Sequence, residues 1–325
     1  MPISRREWMG MAAATAASGW PALGFAQTLD KPVRVIVAYG AGSVSDILAR
    51  FLADRIAKNG GRSAVVENKA GADGNIAAEA AARASADAYT LLVSGSSTHA
   101  ANATIYRKLP FDPEADFSPI STLAVAPFIL LVNPQRIQQR SLKDFLSWAR
   151  AGAGHNLSFA STSVGNRVSG ERFRQIANLN AVNVPYRSSG QAMTDLLGGQ
   201  FDFYFCDVTT ALPQIRAGKV VPLAVSVRDR LAALPDVPTL AESGFTDFDI
   251  ASWIAMWSAV ASTPPEVSAR LAQWVSEALD SAEGREFVAS KGLLPAPSGV
   301  DALRQLQRRD TAVWGKIIRE TGMQQ

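Results

Sequence analysis

Short apolar runs alternate with amphipathic stretches along the whole chain. The first run, Val33, Val35, Ile36 and Val37, is β-branched and reads as a buried strand. It ends at Tyr39-Gly40-Ala41-Gly42-Ser43. Beyond that turn Ile47, Leu48, Phe51 and Leu52 recur at the spacing of one helical face. The same reasoning predicts strands over 63–67, 90–94, 128–132, 157–160, 201–205, 223–227 and 254–260. Helices are predicted over 76–84, 142–150, 170–179, 192–197, 265–281 and 300–321. This alternation predicts an α/β fold with largely parallel sheets. The proline-marked stretches 110–119 and 235–238 read as connections.

The first turn reads two ways. A helix start leaves backbone N–H groups unpaired at the positive end of the helix dipole. Gly40, Gly42, Ser43 and Ser45 would then form a small anion site at the carboxyl end of a strand. Alternatively, Ser43 and Asp46 make the S-x-x-D capping pattern of an ordinary strand-to-helix connection. Two later strand ends carry the same chemistry, Ser94-Gly95-Ser96-Ser97-Thr98 and Ser161-Thr162-Ser163-Val164-Gly165-Asn166. In open α/β sheets ligands lie outside such ends. Three ends rich in Gly, Ser and Thr suit a carboxylate held by N–H and O–H donors, and local capping is the competing explanation for each.

The amino terminus reads as an export address. Arg5 and Arg6 precede an apolar, alanine-rich run, and Gly24-Phe25-Ala26 suits signal cleavage before Gln27. The paired arginines fit a twin-arginine signal, with a Sec signal as the alternative. Residues 1–26 are therefore expected to be a signal peptide, leaving a periplasmic protein. The chain has 325 residues and a formal net charge of +3, with the charges dispersed, which points away from nucleic acid. The single Cys206 excludes an internal disulfide. His99 and His155 lack neighbours at metal-ligand spacing, so no metal is expected.

With these motifs in place, the chain resembles the Bug-type solute receptors of the tripartite tricarboxylate transporters over essentially its whole mature length. The marks are Lys31-Pro32-Val33-Arg34, Gly42 with Asp46, Val66-Glu67-Asn68-Lys69-Ala70-Gly71, Gly74-Asn75-Ile76 and Tyr89-Thr90-Leu91-Leu92. Leu109-Pro110-Phe111-Asp112-Pro113, Val184-Pro185-Tyr186, Asp195-Leu196-Leu197-Gly198-Gly199-Gln200, Ala233-Leu234-Pro235-Asp236-Val237-Pro238 and Trp314-Gly315 follow in order. The resemblance implies a two-lobed periplasmic binding protein fold of the type 2, Venus flytrap kind, with the ligand cleft between the lobes. It places lobe 1 at 27–126 and 228–325 and lobe 2 at 127–227, with crossings near Pro127 and Arg228. It implies a small carboxylate ligand, membrane transporter subunits as partners, no cofactor, no catalysis and a monomer.

The ligand-binding residues expected from the turns and the resemblance together are Tyr39, Gly40, Gly42, Ser43, Ser45, Asp46, Ser94, Ser96, Ser97, Thr98, Ser161, Thr162, Ser163, Gly165, Asn166, Arg167, Tyr186, Cys206 and Asp207. Three departures from the family pattern bear on the ligand. The first turn lacks the usual prolines and third glycine. The usual Phe-Asp-Asn is Phe205-Cys206-Asp207. The segment after Gly165 is shortened and carries Arg167, and Arg187 replaces the usual lysine after Tyr186. Arg167 suits a bidentate carboxylate pair, or is a solvated lobe-edge arginine. Tyr39 suits a planar or aromatic ligand, or lines the hinge. Trp253 is expected in the core.

Two enzymatic alternatives compete. An exported dinucleotide-dependent oxidoreductase would use Gly40 and Gly42 for pyrophosphate and Glu67 for ribose, but the third glycine of the fingerprint is replaced by Ser45. A hydrolase lacks a G-x-S-x-G elbow.

Overall fold

The computed structural model describes residues 32–60, 63–84, 90–151, 156–259 and 263–324. The export segment at 1–26, its cleavage point before Gln27, and His155 lie outside the described residues. The β-branched run forms β1 (Val33–Val37), flanked in parallel by β2 (Ala64–Asn68) and β3 (Thr90–Gly95). Helices α1 (Val44–Gly60) and α2 (Asn75–Ala82) pack on these strands. After β3 the chain makes a π-helix, Ser97–Ala101, and the short α3 (Asn102–Ile105). π-helical turns are rare and recur at functional sites.

The next strand is the spine of the fold. The hydrophobic pattern predicts 128–132, but β4 runs from Phe117 to Val132. Pro119 falls where the register shifts, and a second shift follows between Thr122 and Ala124, so bulges accommodate what sequence alone reads as a connection. From Phe117 to Pro127, β4 pairs antiparallel with β9 (Ala251–Ala259). From Phe128 to Val132 it pairs antiparallel with β7 (Phe203–Asp207) and, from Ile129, with β8 (Val221–Val225). One strand thus serves two sheets, changing partners at Pro127–Phe128.

The second sheet continues from β7 to β5 (Leu157–Ser161) and the edge strand β6 (Ala181–Pro185), both steps parallel. Helices α4 (Leu142–Ala151), α5 (Val164–Ile176), α6 (Ser189–Leu197) and α7 (Val208–Arg216) belong to this half. The expectation of largely parallel sheets is corrected, because every pairing made by β4 and β9 is antiparallel. Antiparallel pairing lets one long strand run through both sheets without a helical crossover. Beyond Arg228, where the return to the first half is expected, Phe245, Phe248 and Ile250 still pack with the second core. The chain re-enters the first sheet at Ala251.

The carboxyl-terminal helices complete the fold. These are α8 (Pro265–Asp280), α9 (Ala282–Ser290) and, after the two-residue β10 (Leu294–Pro295) against β4, α10 (Val300–Glu320). Residues Lys31–Gln325 form one compact unit with two core clusters. The first holds Ile36, Leu92, Phe117, Trp253 and Trp257, and the second holds Phe128, Phe159, Phe173, Phe203 and Phe205. Burying each such side chain contributes roughly 1.5–3 kcal/mol. Helix α10 joins the two, with Leu303 in the first cluster and Trp314, Ile317 and Ile318 in the second.

Candidate functional site

The first turn satisfies itself. Gly42 N–H donates to Asp46 Oδ2 at 2.9 Å, and Asp46 N–H donates to Ser43 Oγ at 3.2 Å. Arg50 holds the same carboxylate, Nε to Oδ2 at 3.1 Å and Nη2 to Oδ1 at 2.9 Å. Burial opposes the charged form of Asp46. The hydrogen bonds from Arg50, Gly42 N–H and Asn68 outweigh it and hold the carboxyl below its ordinary range. The capping pattern is therefore formed, and Asp46 is the anion at this helix start. Gly42 sits at φ 80°, and a Cβ there meets nothing within 4 Å. The turn is open to solvent, with Gly40 and Gly42 exposed and Ser45 buried. Its Gly42 N–H is engaged by Asp46, which removes a donor that the dinucleotide alternative requires.

Tyr39, just before this turn, points elsewhere. Its hydroxyl is hydrogen-bonded with Thr98 and Ser97 of the π-helix. Burial raises its pKa, with those two bonds pulling the other way. Of the remaining serines at that strand end, Ser96 Oγ lies 3.0 Å from Ser252 Oγ, and Ser94 Oγ is buried without a partner. Thr98 Oγ1 also donates to Asp73 O at 2.9 Å. Asn102 Nδ2 donates to the same carbonyl at 3.1 Å, and Tyr106 Oη donates to Asp73 Oδ2 at 3.0 Å. These three bonds clamp a left-handed turn in which Ala72 and Asp73 have φ 47° and 51°. Such non-glycine residues cost about 1–3 kcal/mol each and persist only where the surroundings hold them. Sequence reasoning missed the clamp, and its signal was an aspartate inside Gly71-Ala72-Asp73-Gly74.

The second half contributes a connected set at the ends of β5 and β7. Ser163 caps α5, its Oγ accepting from Asn166 N–H at 3.4 Å. Asn166 Oδ1 accepts from Thr162 Oγ1 at 2.8 Å and from Ser163 Oγ at 2.7 Å, and its Nδ2 donates to Phe205 O at 2.8 Å. Thr162 Oγ1 also lies 3.0 Å from Tyr204 Oη and 3.2 Å from Ser189 Oγ. Ser189 Oγ donates to Asp207 Oδ2 at 2.7 Å. Ser189 and Tyr204 were not expected from sequence, although Ser188-Ser189 at a helix start is a visible polar signal. Arg167 Nε is buried without a partner.

Four expected residues stand outside this hydroxyl network. Gly165 is a packing glycine, since a Cβ there would lie 2.8 Å from Phe128 Cζ. Cys206 is fully buried in the sheet, and burial pushes its thiol well up. Ser161 is buried, and its carbonyl accepts from Tyr186 N–H at 2.7 Å. Tyr186 itself is half-buried against Phe201, with ring centroids 5.6 Å apart. Trp253 lies in the core as expected, its Nε1–H donating to Asp310 Oδ2 at 2.7 Å.

The two sets approach each other, because the Asp207 carboxylate lies within electrostatic reach of the Tyr39 hydroxyl, and α5 packs against the π-helix. The assembled chemistry is hydroxyls, one amide, one carboxylate and a guanidinium whose buried Nε has no partner among the described residues. His99 is stacked on Trp257 at 3.7 Å, neither ring nitrogen has a partner, and burial lowers its pKa to about 3. It is therefore neutral and engages no serine as a base. Among the described residues no group of His, Cys, Asp and Glu could hold a metal ion. The arrangement suits binding.

Comparison with known proteins agrees with this. Residues 48–323 match the family model described as the tripartite tricarboxylate transporter family receptor. Protein BugT of Bordetella pertussis is 32% identical over 317 residues, covering 96% of this chain and 94% of that one. The structure of Rhodopseudomonas palustris Rpa4515 with adipate superimposes with a TM-score of 0.83 at 28% identity, over 90% of this chain and 98% of that one. MatC from the same species, with bound malate, gives a TM-score of 0.77 at 29% identity, over 89% and 99%.

Proposed function

This chain belongs to the tripartite tricarboxylate transporter family receptors, and we propose that it captures a small organic carboxylate in the periplasm and delivers it to membrane subunits of such a transporter. The observation that carries this reading is that two polar strand ends come near Tyr39: Ser97 and Thr98 bond its hydroxyl, and the Asp207 carboxylate, from the other side of the partner change in β4, lies within electrostatic reach of it. The halves of the molecule act as lobes, and the cleft lies between them. A ligand touching Tyr39, Ser97 and Thr98 on one side and Thr162, Ser163 and Arg167 on the other makes all its contacts only when the lobes are closed. Its binding therefore shifts the population to the closed state. Arg167 supplies the fork for the carboxylate, because its buried Nε has no partner among the described residues. The malate and adipate held by two relatives indicate the class of acid. Their structures share this fold at 28% and 29% identity.

Thermal melting tests the reading with malate and adipate as probes. A ligand that binds only the folded state, at a hundredfold over its dissociation constant, stabilises it by about 2.7 kcal/mol. In a chain of this size that is a shift of roughly several degrees. Arg167→Gln should abolish most of the shift, and small-angle scattering should show compaction with ligand. Amides of the same acids shifting the melting point equally would sink the carboxylate reading. For export, replacing Arg5 and Arg6 with lysine blocks appearance in the periplasm if the twin-arginine route is used, and undiminished export leaves the Sec route.

A further inference from the structure

We propose that Asp207 selects a ligand whose end remote from its carboxylate carries an N–H cation, which places the substrate in the aminocarboxylate class. The inference rests on the receptor reading above and narrows it.

Asp207 ends β7 and is the N-cap of α7, yet its side chain makes no capping hydrogen bond. An aspartate at that position ordinarily accepts from the first turn of its own helix, which stabilises the helix by about the energy of one hydrogen bond. Here the carboxylate forgoes that bond and turns toward α6, where Ser189 Oγ donates to Oδ2 at 2.7 Å, and toward the Asn166 side chain. No basic side chain is among the groups acting on it, and it forms no ion pair among the described residues. Its neighbours Thr162, Ser189, Asn166 and Tyr204 are all neutral, and they are joined to each other by hydrogen bonds. A carboxylate has about four acceptor positions, so capacity remains beyond the donors present.

A carboxylate withdrawn from water gains from a counter-ion. Asp207 is half-buried and has no ion pair among the described residues, and its carboxylate lies within electrostatic reach of the Tyr39 hydroxyl. The second carboxylate of a diacid brought to that place would meet a like charge, whereas an ammonium would find its counter-ion and an acceptor together. Asp207 also stands where the resemblance expects an asparagine, so this chain has exchanged a donor for an acceptor at the same strand end. The carboxylate of the ligand then belongs to Arg167, which does not act on Asp207.

Calorimetric titration at neutral pH of two matched pairs tests this, succinate against 4-aminobutanoate and adipate against 6-aminohexanoate. The amino acid of at least one pair should bind about tenfold tighter than its diacid, a difference of about 1.4 kcal/mol. Asp207→Asn should erase or reverse the preference, and Asp207→Ser should do the same should the amide variant fold poorly. Tighter binding of the diacids by the parent overturns the proposal and leaves the receptor reading intact. So does a preference for the amino acids that survives both substitutions. If neither member of either pair binds, and malate also fails, the receptor reading falls and this inference falls with it.

Discussion

Two helices begin at strand ends beside the cleft, each with an aspartate, and they spend it differently. Asp46 at the start of α1 accepts from Gly42 N–H and is held by Arg50, and its carboxyl lies below the ordinary range because these bonds outweigh its burial. Asp207 at the start of α7 caps nothing and has no cation, and burial pushes its carboxyl up against the bonds from Ser189 and Asn166. The same residue type at the same kind of topological position is ion-paired with its own helix in one half and held by neutral donors from other helices in the other. A helix start is an anion site only until the chain supplies its own anion. What separates the two carboxylates is that Asp46 has a guanidinium beside it and Asp207 has only neutral donors.

Acid has the broadest effect, because it also titrates the buried His99. His99 is neutral in the fold, with its pKa lowered to about 3 by burial, and ordinary when unfolded. The unfolded chain therefore binds the extra proton between those values, and stability falls as pH drops from about 6.5 toward 3, by at most about 5 kcal/mol. Urea midpoints at mildly acidic and neutral pH should show this, and His99→Phe, which keeps a ring on Trp257, should flatten the acid limb. An unchanged limb in that variant would place the acid sensitivity elsewhere.

Next in size is Asp46→Ala. It removes a cap and charge-assisted bonds together, so about 2–3 kcal/mol of stability should go at neutral pH. A group whose carboxyl is depressed in the fold contributes above its unfolded pKa and loses that contribution as pH falls through the folded value. The deficit of Asp46→Ala should accordingly shrink in acid, and denaturant titration at a series of pH values measures it. Gly42→Ala comes third. The space is open, but φ 80° is a left-handed backbone, so about 1–2 kcal/mol should be lost with no clash. A loss far above that would mean the side chain meets something in solution.

The smallest effect has the opposite sign. Asp207 has a raised carboxyl, so its ionised form costs stability above the folded pKa, and the cost disappears as pH falls below the unfolded value. Asp207→Asn should therefore melt slightly higher than the parent at neutral pH, with the gap closing in acid. A variant that melts lower at neutral pH would show that the carboxylate is structural after all.

Much of the frame was legible in the sequence. The β-branched run, the spacing of Ile47 to Leu52, and the long periodic stretch of α10 dictate their elements with little tertiary help. Other elements were hidden for physical reasons. The first part of β4 carries Pro119 and needs two register shifts, so its alternation is broken. Strand β6 is an edge strand with Val182 facing solvent and only Ala181 buried, which leaves little alternation to read. The π-helix, Ser97-Thr98-His99-Ala100-Ala101, is polar and small at its start yet wholly buried, so its composition suggests a loop. The polar strand ends were visible as composition. What composition could not show is which donors and acceptors are already satisfied: Gly42 N–H is taken by Asp46 four residues on, and the Asp207 carboxylate accepts from Ser189 on another helix.

Carbon-13 NMR titration of the aspartate carboxyls, assigned with the Asp46→Asn and Asp207→Asn variants, tests the contrast between the two helix starts most directly. The account predicts that the Asp46 signal titrates below the ordinary aspartate range and the Asp207 signal above it, in the unliganded protein. Both titrating in the ordinary range, or in the reverse order, would contradict it.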